Sequence, residues 1–282
     1  MKAKKSYGQH FLKEESMAKR IADSLQLRHT YNDLLEVGPG MGMLTKYLLQ
    51  YKEHQPRVLV SEADKDMVAY LTEHYPVLAP NIVPGDFLKM NLKTHLPNQF
   101  GLIGNYPYNI SSQIIFRMLE YREQIPEMVG MFQYEVAQRI CAKEDTTEYG
   151  VLSVLVQAYF DAQLLFQVKP GNFNPPPKVN SAVIRLTRKP SLDIGVEFKL
   201  LRSVVKVTFG QRRKMLRNTM LSFLPKELLQ DDDFFKRRPE TLSVQEFIEL
   251  AKRVAQYRID NPTANQSTFL EDNGKDDEDT AE

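Results

Sequence analysis

The strongest constraint on how this chain folds is an alternation. Seven short β-rich runs, at residues 33–37, 58–62, 81–83, 100–104, 128–132, 161–168 and 182–187, are separated for the most part by helical patterns. Those patterns lie near residues 14–27, 41–51, 65–74, 111–119, 134–141 and 150–159. Strands alternating with helices of this length build a parallel sheet covered by helices. The last two runs are joined by a proline-rich loop at 170–178 and read as a hairpin, which puts one antiparallel strand into the sheet. After Arg188-Lys189-Pro190-Ser191 the strand signal stops, and 197–258 shows only helical periodicity, broken by Gly210, Pro225 and Pro239. The fold expected is α/β: a seven-stranded sheet, its last strand antiparallel, with a small C-terminal all-helical domain. The expected boundaries are 1–190, 191–259 and a tail at 260–282.

Charge divides the chain in the same direction. The formal net charge of +1 includes a terminal stretch, 271–282, with seven acids against one lysine; removing its −6 leaves +7 on 1–270. So acidic a tail has too little apolar surface to offset ordering entropy and reads as disordered. Within 197–258, fourteen lysines and arginines face eight acids, most densely around Gln211-Arg212-Arg213-Lys214. Such a run is either a solvated helix face or a set of phosphate contacts, and its density here favours phosphate. The sequence lacks an apolar run near ~18 residues and an apolar stretch behind its basic start, so neither a membrane partner nor a secretory signal is expected. Cys141 is the single cysteine, which suits a reducing cytoplasm, and on a helix it reads as a small buried hydrophobe. A cytoplasmic monomer is the expectation.

Chemistry-bearing residues gather where the strands end. The first strand runs into Glu36-Val37-Gly38-Pro39-Gly40-Met41-Gly42, a turn whose bare backbone a ligand can approach closely. A nicotinamide fingerprint begun at Gly38 and Gly40 needs its third glycine where Met43 stands, which disfavours a dehydrogenase. A turn packed against an amino-acid-like ligand tail fits better. The second strand ends at Glu62, placed to accept hydrogen bonds from both ribose hydroxyls of a nucleoside. Gly85-Asp86-Phe87 follows the third; Asp86 can accept from an adenine amine while Phe87 or Leu88 covers the ring. Singly, each feature reads equally as a structural turn or a solvated acid. Three at successive strand ends mark the ligand crevice of an open α/β sheet.

The fourth strand leads into Asn105-Tyr106-Pro107-Tyr108. The amine of adenine is a poor nucleophile because its lone pair is delocalised into the ring. The amide oxygen of Asn105 and a carbonyl of Tyr106 or Pro107 can accept its two hydrogens and turn the lone pair outward. Positioning and electrostatics suffice for such a step, so no metal is expected. Pro107 stiffens the loop, and Tyr108 offers a π face to an extruded base. The plain alternative is an ordinary asparagine–proline turn with two surface tyrosines. In Phe173-Asn174-Pro175-Pro176-Pro177 the prolines fix an extended backbone, which serves a rigid hairpin loop as well as an aromatic clamp using Phe173.

Four segments together resemble the ribosomal RNA adenine dimethyltransferases: Gly8-Gln9-His10-Phe11-Leu12, the glycine turn from Glu36, Asn105-Tyr106-Pro107-Tyr108, and the stretch from Phe173 to Ser181. The likeness spans residues 6–257 and is greatest to the bacterial small-subunit branch, which dimethylates two adjacent adenosines near the 3′ end of 16S rRNA. It implies a Rossmann-like class I methyltransferase sheet and S-adenosyl-L-methionine as cofactor. It also implies 16S rRNA, in the small ribosomal subunit or its precursor, as partner. By that resemblance His10 and Leu12 cover the cofactor, Gly38 and Gly40 lie against it, Glu62 holds its ribose and Asp86 its adenine. Asn105 stands between cofactor and target, and Tyr108 and Phe173 flank the base. From the residues themselves, Pro107 is expected to shape the loop and Gln211, Arg212, Arg213 and Lys214 to meet RNA phosphates. The chain departs from the pattern at His10, where asparagine is usual, and at Tyr106, where leucine is usual. The competing readings are a 23S rRNA adenine methylase conferring antibiotic resistance, a mainly non-catalytic ribosome assembly factor and, more distantly, a DNA adenine methyltransferase.

Overall fold

The computed structural model describes residues 9–51 and 53–262 and divides the chain into two compact units. One comprises the chain up to Gln138 together with Phe160–Lys189; the other comprises Arg139–Tyr159 and the chain from Pro190. Residues 1–8, which include Gly8 of the Gly8–Leu12 motif, and residues 263–282, which include the acidic stretch, lie outside the described residues.

In the first unit, β1 (Phe11–Leu12) precedes α1 (Glu15–Ala22), β2 (Asp33–Val37), α2 (Thr45–Leu48), β3 (Arg57–Glu62), α3 (Lys65–His74), β4 (Ile82–Pro84) and α4 (Leu92–His95). Next come β5 (Phe100–Asn105), α5 (Ser111–Glu120), β6 (Glu127–Gln133) and α6 (Tyr134–Cys141), whose last turn crosses into the second unit. The chain re-enters with β7 (Phe160–Val168), β8 (Phe173–Asn174) and β9 (Ser181–Arg188). Seven strands form one sheet in the order β4-β3-β2-β5-β6-β9-β7. The pairs among β2 to β6 are parallel, and β9 runs antiparallel to both β6 and β7. All five residues of β2 are buried, the acids Asp33 and Glu36 included, because helices cover a parallel sheet on both faces. Strand order reverses between β2 and β5, and the crevice beyond their carboxyl ends is where sheets of this kind bind ligands.

Two helices are shorter than the sequence pattern. The run expected over 14–27 ends at Ala22, because the Gln26 and Leu27 amides turn away to the Glu127 carboxylate, at 2.7 and 2.9 Å. The buried Tyr31 hydroxyl donates to the same carboxylate at 3.3 Å. The helix expected over 41–51 is regular only at Thr45–Leu48, since Gly42 has φ +79° and cannot belong to an α-turn. A small antiparallel ladder also escaped the sequence reading: β1 pairs with β8, opposing Phe11 to Asn174 and Leu12 to Phe173.

The second unit is helical: α7 (Val151–Gln157), α8 (Phe198–Phe209), α9 (Leu216–Thr219), α10 (Lys226–Asp231) and α11 (Val244–Asp260). Ser243 and Glu246 cap the start of α11 reciprocally, and its Phe247, Leu250 and Val254 are buried where it packs against α8. Sequence analysis assigns 139–159 to the domain ending at 190, whereas this segment packs with the helices. The cause is visible in its contacts. Tyr149 meets Phe209 edge-on with ring centroids 5.9 Å apart, Tyr159 meets Phe198 at 6.0 Å, and the Asp145 amide donates to the Glu240 carbonyl at 2.9 Å.

Candidate active site

A cavity of about 690 Å³ opens at the reversal point, within the first unit. Its wall on the β2 side is the glycine turn. Gly38, Gly40 and Gly42 have φ of +67°, +56° and +79°, conformations that side-chain-bearing residues rarely adopt. Space is equally restrictive: a Cβ on Gly42 would lie 2.6 Å from the Tyr75 ring, and one on Gly40 would lie 3.0 Å from the Phe11 ring. Inward of the turn, the Thr45 hydroxyl donates to the Glu36 carboxylate at 2.6 Å. Burial pushes the Glu36 carboxyl up to about 8, against the pull of that hydrogen bond. Glu36 received no role from the sequence, although a carboxylate inside Leu34-Leu35-Glu36-Val37 is itself a signal, since buried acids need a reason.

Both acids assigned to a nucleoside line the cavity. Glu62 accepts the Gly40 amide at 3.1 Å through one oxygen and the Asp64 amide at 2.8 Å through the other. Burial raises its pKa, and those two amides draw it back. Asp86 accepts the Leu88 amide at 2.9 Å, capping the single turn Phe87–Lys89, in which Phe87 is buried. A carboxylate oxygen has two lone pairs, so each acid keeps acceptor capacity toward the cavity after tying its own loop. Gln9 adds a strap that the sequence did not suggest, donating to Asp64 at 3.1 Å.

Opposite lies the loop after β5. The Asn105 amide nitrogen donates to the His10 carbonyl at 3.0 Å. That bond fixes which end of the amide is which, and among the described residues no donor meets its oxygen. Tyr106 turns its ring into the sheet, where it fills the room left by two glycines; a Cβ on Gly130 would lie 2.0 Å from the ring and one on Gly104 2.7 Å. Tyr106 is therefore a core residue, and it is also among the residues that line the cavity. Pro107 also lines the cavity, with its Cδ 3.9 Å from the position of a Gly38 Cβ. Tyr108 bonds the Ser181 hydroxyl at 2.5 Å and carries the His10 ring on one face, with centroids 5.3 Å apart and planes 28° off parallel.

The cavity thus brings together His10, Leu12, Gly38, Gly40, Glu62 and Asp86 with Asn105, Pro107 and Tyr108. Phe173 does not join them. It is 2% exposed in the apolar core, facing Leu12 across the β1–β8 ladder, so the expected second aromatic wall is absent from the cavity lining. In the helical unit, Gln211, Arg213 and Lys214 are exposed. Arg212 is committed elsewhere: its guanidinium donates to the Thr147 and Thr146 carbonyls at 2.7 and 2.9 Å. Burial pushes the Cys141 thiol up to about 12, which disfavours the thiolate.

The residues fit a nucleoside carrying an amino-acid tail. A backbone cradle that a Cβ would fill, a carboxylate beside it, a second acid with a buried ring, and an open amide oxygen surround one cavity. With this strand order they define a Rossmann-like class I methyltransferase joined to a helical C-terminal part. The sequence matches the model of the family described as Ribosomal RNA adenine dimethylase over residues 1–256, and the chain belongs to that family. It is 52% identical over 255 residues to the Ribosomal RNA small subunit methyltransferase A of Flavobacterium johnsoniae, covering 90% of this chain and 96% of the relative. The relative of the same name from Bacteroides fragilis is 51% identical over 260 residues, covering 91% and 93%. Among solved structures, a dimethyladenosine transferase from Plasmodium falciparum superposes with a TM-score of 0.72 at 25% identity, covering 88% of this chain and 98% of that one. The 23S rRNA methyltransferase ErmE gives 0.63 at 26% identity, covering 87% and 100%.

Proposed function

We propose that the chain transfers methyl groups to the exocyclic amines of two adjacent adenosines near the 3′ end of 16S rRNA, in the small ribosomal subunit or its precursor. The observation that carries this reading is the oriented Asn105 amide, whose nitrogen is held by the His10 carbonyl so that its oxygen is the end left to accept. S-adenosylmethionine, when bound, supplies an electrophilic methyl on a sulfonium. Glu62 accepts from the ribose hydroxyls, Asp86 from the cofactor's adenine amine, and the backbone at Gly38 and Gly40 lies against the amino-acid tail. Leu12 and His10 cover the cofactor.

On the substrate side the Asn105 oxygen takes one amine hydrogen and a main-chain carbonyl the other. The Pro107 carbonyl already accepts the Ile110 amide at 3.3 Å, while the Ser111 hydroxyl donates to the Tyr108 carbonyl at 2.6 Å, so we assign the second contact to the Tyr106 carbonyl. Two acceptors on one amine localise its lone pair and aim it, which is catalysis by orientation and fixed dipoles. Pro107 holds the loop in shape and Tyr108 stacks on the extruded base. Exposed Gln211, Arg213 and Lys214 meet RNA, the two cations contacting phosphates, while Arg212 braces the loop at Thr146 and Thr147.

The test supplies radiolabelled S-adenosylmethionine with unmodified small and large subunits and maps the label. Two adjacent adenosines near the 3′ end of 16S rRNA are expected. Label in 23S rRNA would move the chain to the activity named for ErmE. Tight RNA binding without label would leave an assembly factor.

A further inference from the structure

Residue 10 touches three residues in two segments that are remote from it in sequence. Its carbonyl receives the Asn105 amide nitrogen at 3.0 Å. Its imidazole Nδ1 lies 2.9 Å from the Pro175 carbonyl, to which it donates as the Nδ1–H tautomer. The ring stacks on Tyr108 at 5.3 Å. The next two residues, Phe11 and Leu12, are pinned by the ladder to β8, and Gln9 before it is bonded to Asp64. A ring anchored at both its nitrogen and its backbone is not a placeholder waiting to leave. It backs Tyr108 on one face, and Tyr108 itself lines the cavity.

We propose that His10 is a positioning residue that couples the cofactor-covering arm to the base-holding loop, its ring fixing Tyr108 and its carbonyl fixing the Asn105 amide. This rests on the methyl-transfer reading above and gives residue 10 a second role beyond covering the cofactor. Asparagine, usual at this position in the family that the sequence resembles, can keep the bond to Pro175 but has no ring to stack. Phenylalanine keeps the stack and loses the bond.

Three variants separate these contributions: His10→Ala, His10→Asn and His10→Phe, each in the full chain. The expected result for His10→Ala is a fall in kcat of roughly tenfold or more, the scale of misplacing a reacting group by a fraction of an ångström. Its KM for RNA should stay within about twofold of the parent, while any loss of cofactor affinity, measured separately by calorimetry, reports the covering role. His10→Phe restores most of the lost kcat and His10→Asn restores little. Hydrogen exchange at the Asn105 side-chain amide, followed by NMR without any substrate, accelerates in His10→Ala and recovers in His10→Phe. An unchanged kcat with unchanged Asn105 exchange overturns the proposal, as does a loss confined to cofactor affinity or an equal rescue by His10→Asn. A parent chain that transfers no methyl to RNA defeats the functional reading instead, and the amide exchange then decides the positioning role by itself.

Discussion

The two halves of the cavity are built by different means. On the glycine side, each acid is held by donors no more than 22 residues away in the chain: Glu62 by the Gly40 and Asp64 amides, Asp86 by the Leu88 amide, and Glu36 by the Thr45 hydroxyl. On the loop side, the functional groups are held by segments far away in the chain, Asn105 by His10, Tyr108 by His10 and Ser181, and His10 by Pro175. Local ties make a site that exists as soon as its strands pair. Distant ties make one that exists only when arm, loop and hairpin are all in place. Binding should therefore survive damage that stops transfer, and the reverse should be rare.

The largest expected effect lies on the loop side. Asn105→Ala removes an acceptor needed when charge develops, and losing one such oriented group costs about 2.7–4 kcal/mol, or ~10²–10³ in rate. Single-turnover methyl transfer should fall by that factor while cofactor affinity, measured by calorimetry, changes by less than about twofold. A matching loss of affinity would erase the distinction between the halves. Next comes Glu62→Ala, for which cofactor affinity should weaken by ~1.5–3 kcal/mol, the scale of charge-assisted hydrogen bonds. Glu62→Gln keeps an acceptor for one amide and should fall between the two. Transfer at saturating cofactor should recover in both variants; persistent failure would mean that Glu62 also orients the reacting groups.

This division also explains what the sequence could reveal. All seven strands of the main sheet were legible because a β-rich run between helical patterns is a local signal, and the glycine turn, Glu62 and Asp86 were legible because they sit at strand ends. Features decided by distant partners were hidden. The end of α1 is set by a carboxylate about a hundred residues away, since the Leu27 amide prefers Glu127 to the next turn of helix. Phe173 looked like a loop aromatic, yet the ladder between β1 and β8 draws it into the core. Arg212 stands in a dense cationic run and is spent on two carbonyls contributed by 146–147, the segment that leaves the sheet unit for the helical one.

The glycine side carries a titratable cost. The Glu36 carboxyl is raised from 4.5 to about 8 by burial, opposed by the Thr45 hydroxyl. Between those values the folded chain keeps a proton that the unfolded chain has released, so stability falls as pH rises through the window. One proton contributes a slope of about 1.4 kcal/mol per pH unit. Urea denaturation of the cofactor-free chain between about pH 5 and about pH 8 should show that decline, and Glu36→Gln should flatten it. An equally steep decline in Glu36→Gln would assign the slope to another group and leave the glycine side without a pH-dependent element.

The smallest expected effect tests whether the halves are independent in the core between them. The Tyr106 hydroxyl is buried with no hydrogen-bond partner among the described residues, while its ring packs on Phe132 with centroids 4.9 Å apart. An orphaned hydroxyl has lost its water and gained nothing, so Tyr106→Phe should be neutral or stabilising by up to about 1 kcal/mol. Tyr106→Leu should instead destabilise by about 1–3 kcal/mol, because a smaller side chain leaves space beside Gly104 and Gly130. Thermal and urea midpoints measured on the three proteins give the order. The Glu36 charge bears on Tyr106 and helps raise the phenol's pKa, though burial is the greater cause. If Tyr106→Phe loses stability, and the loss shrinks once Glu36 is replaced by Gln, the phenol and the carboxyl share a hydrogen bond in solution. The loop side would then be fastened to the glycine side through the sheet itself, and transfer and binding would fail together.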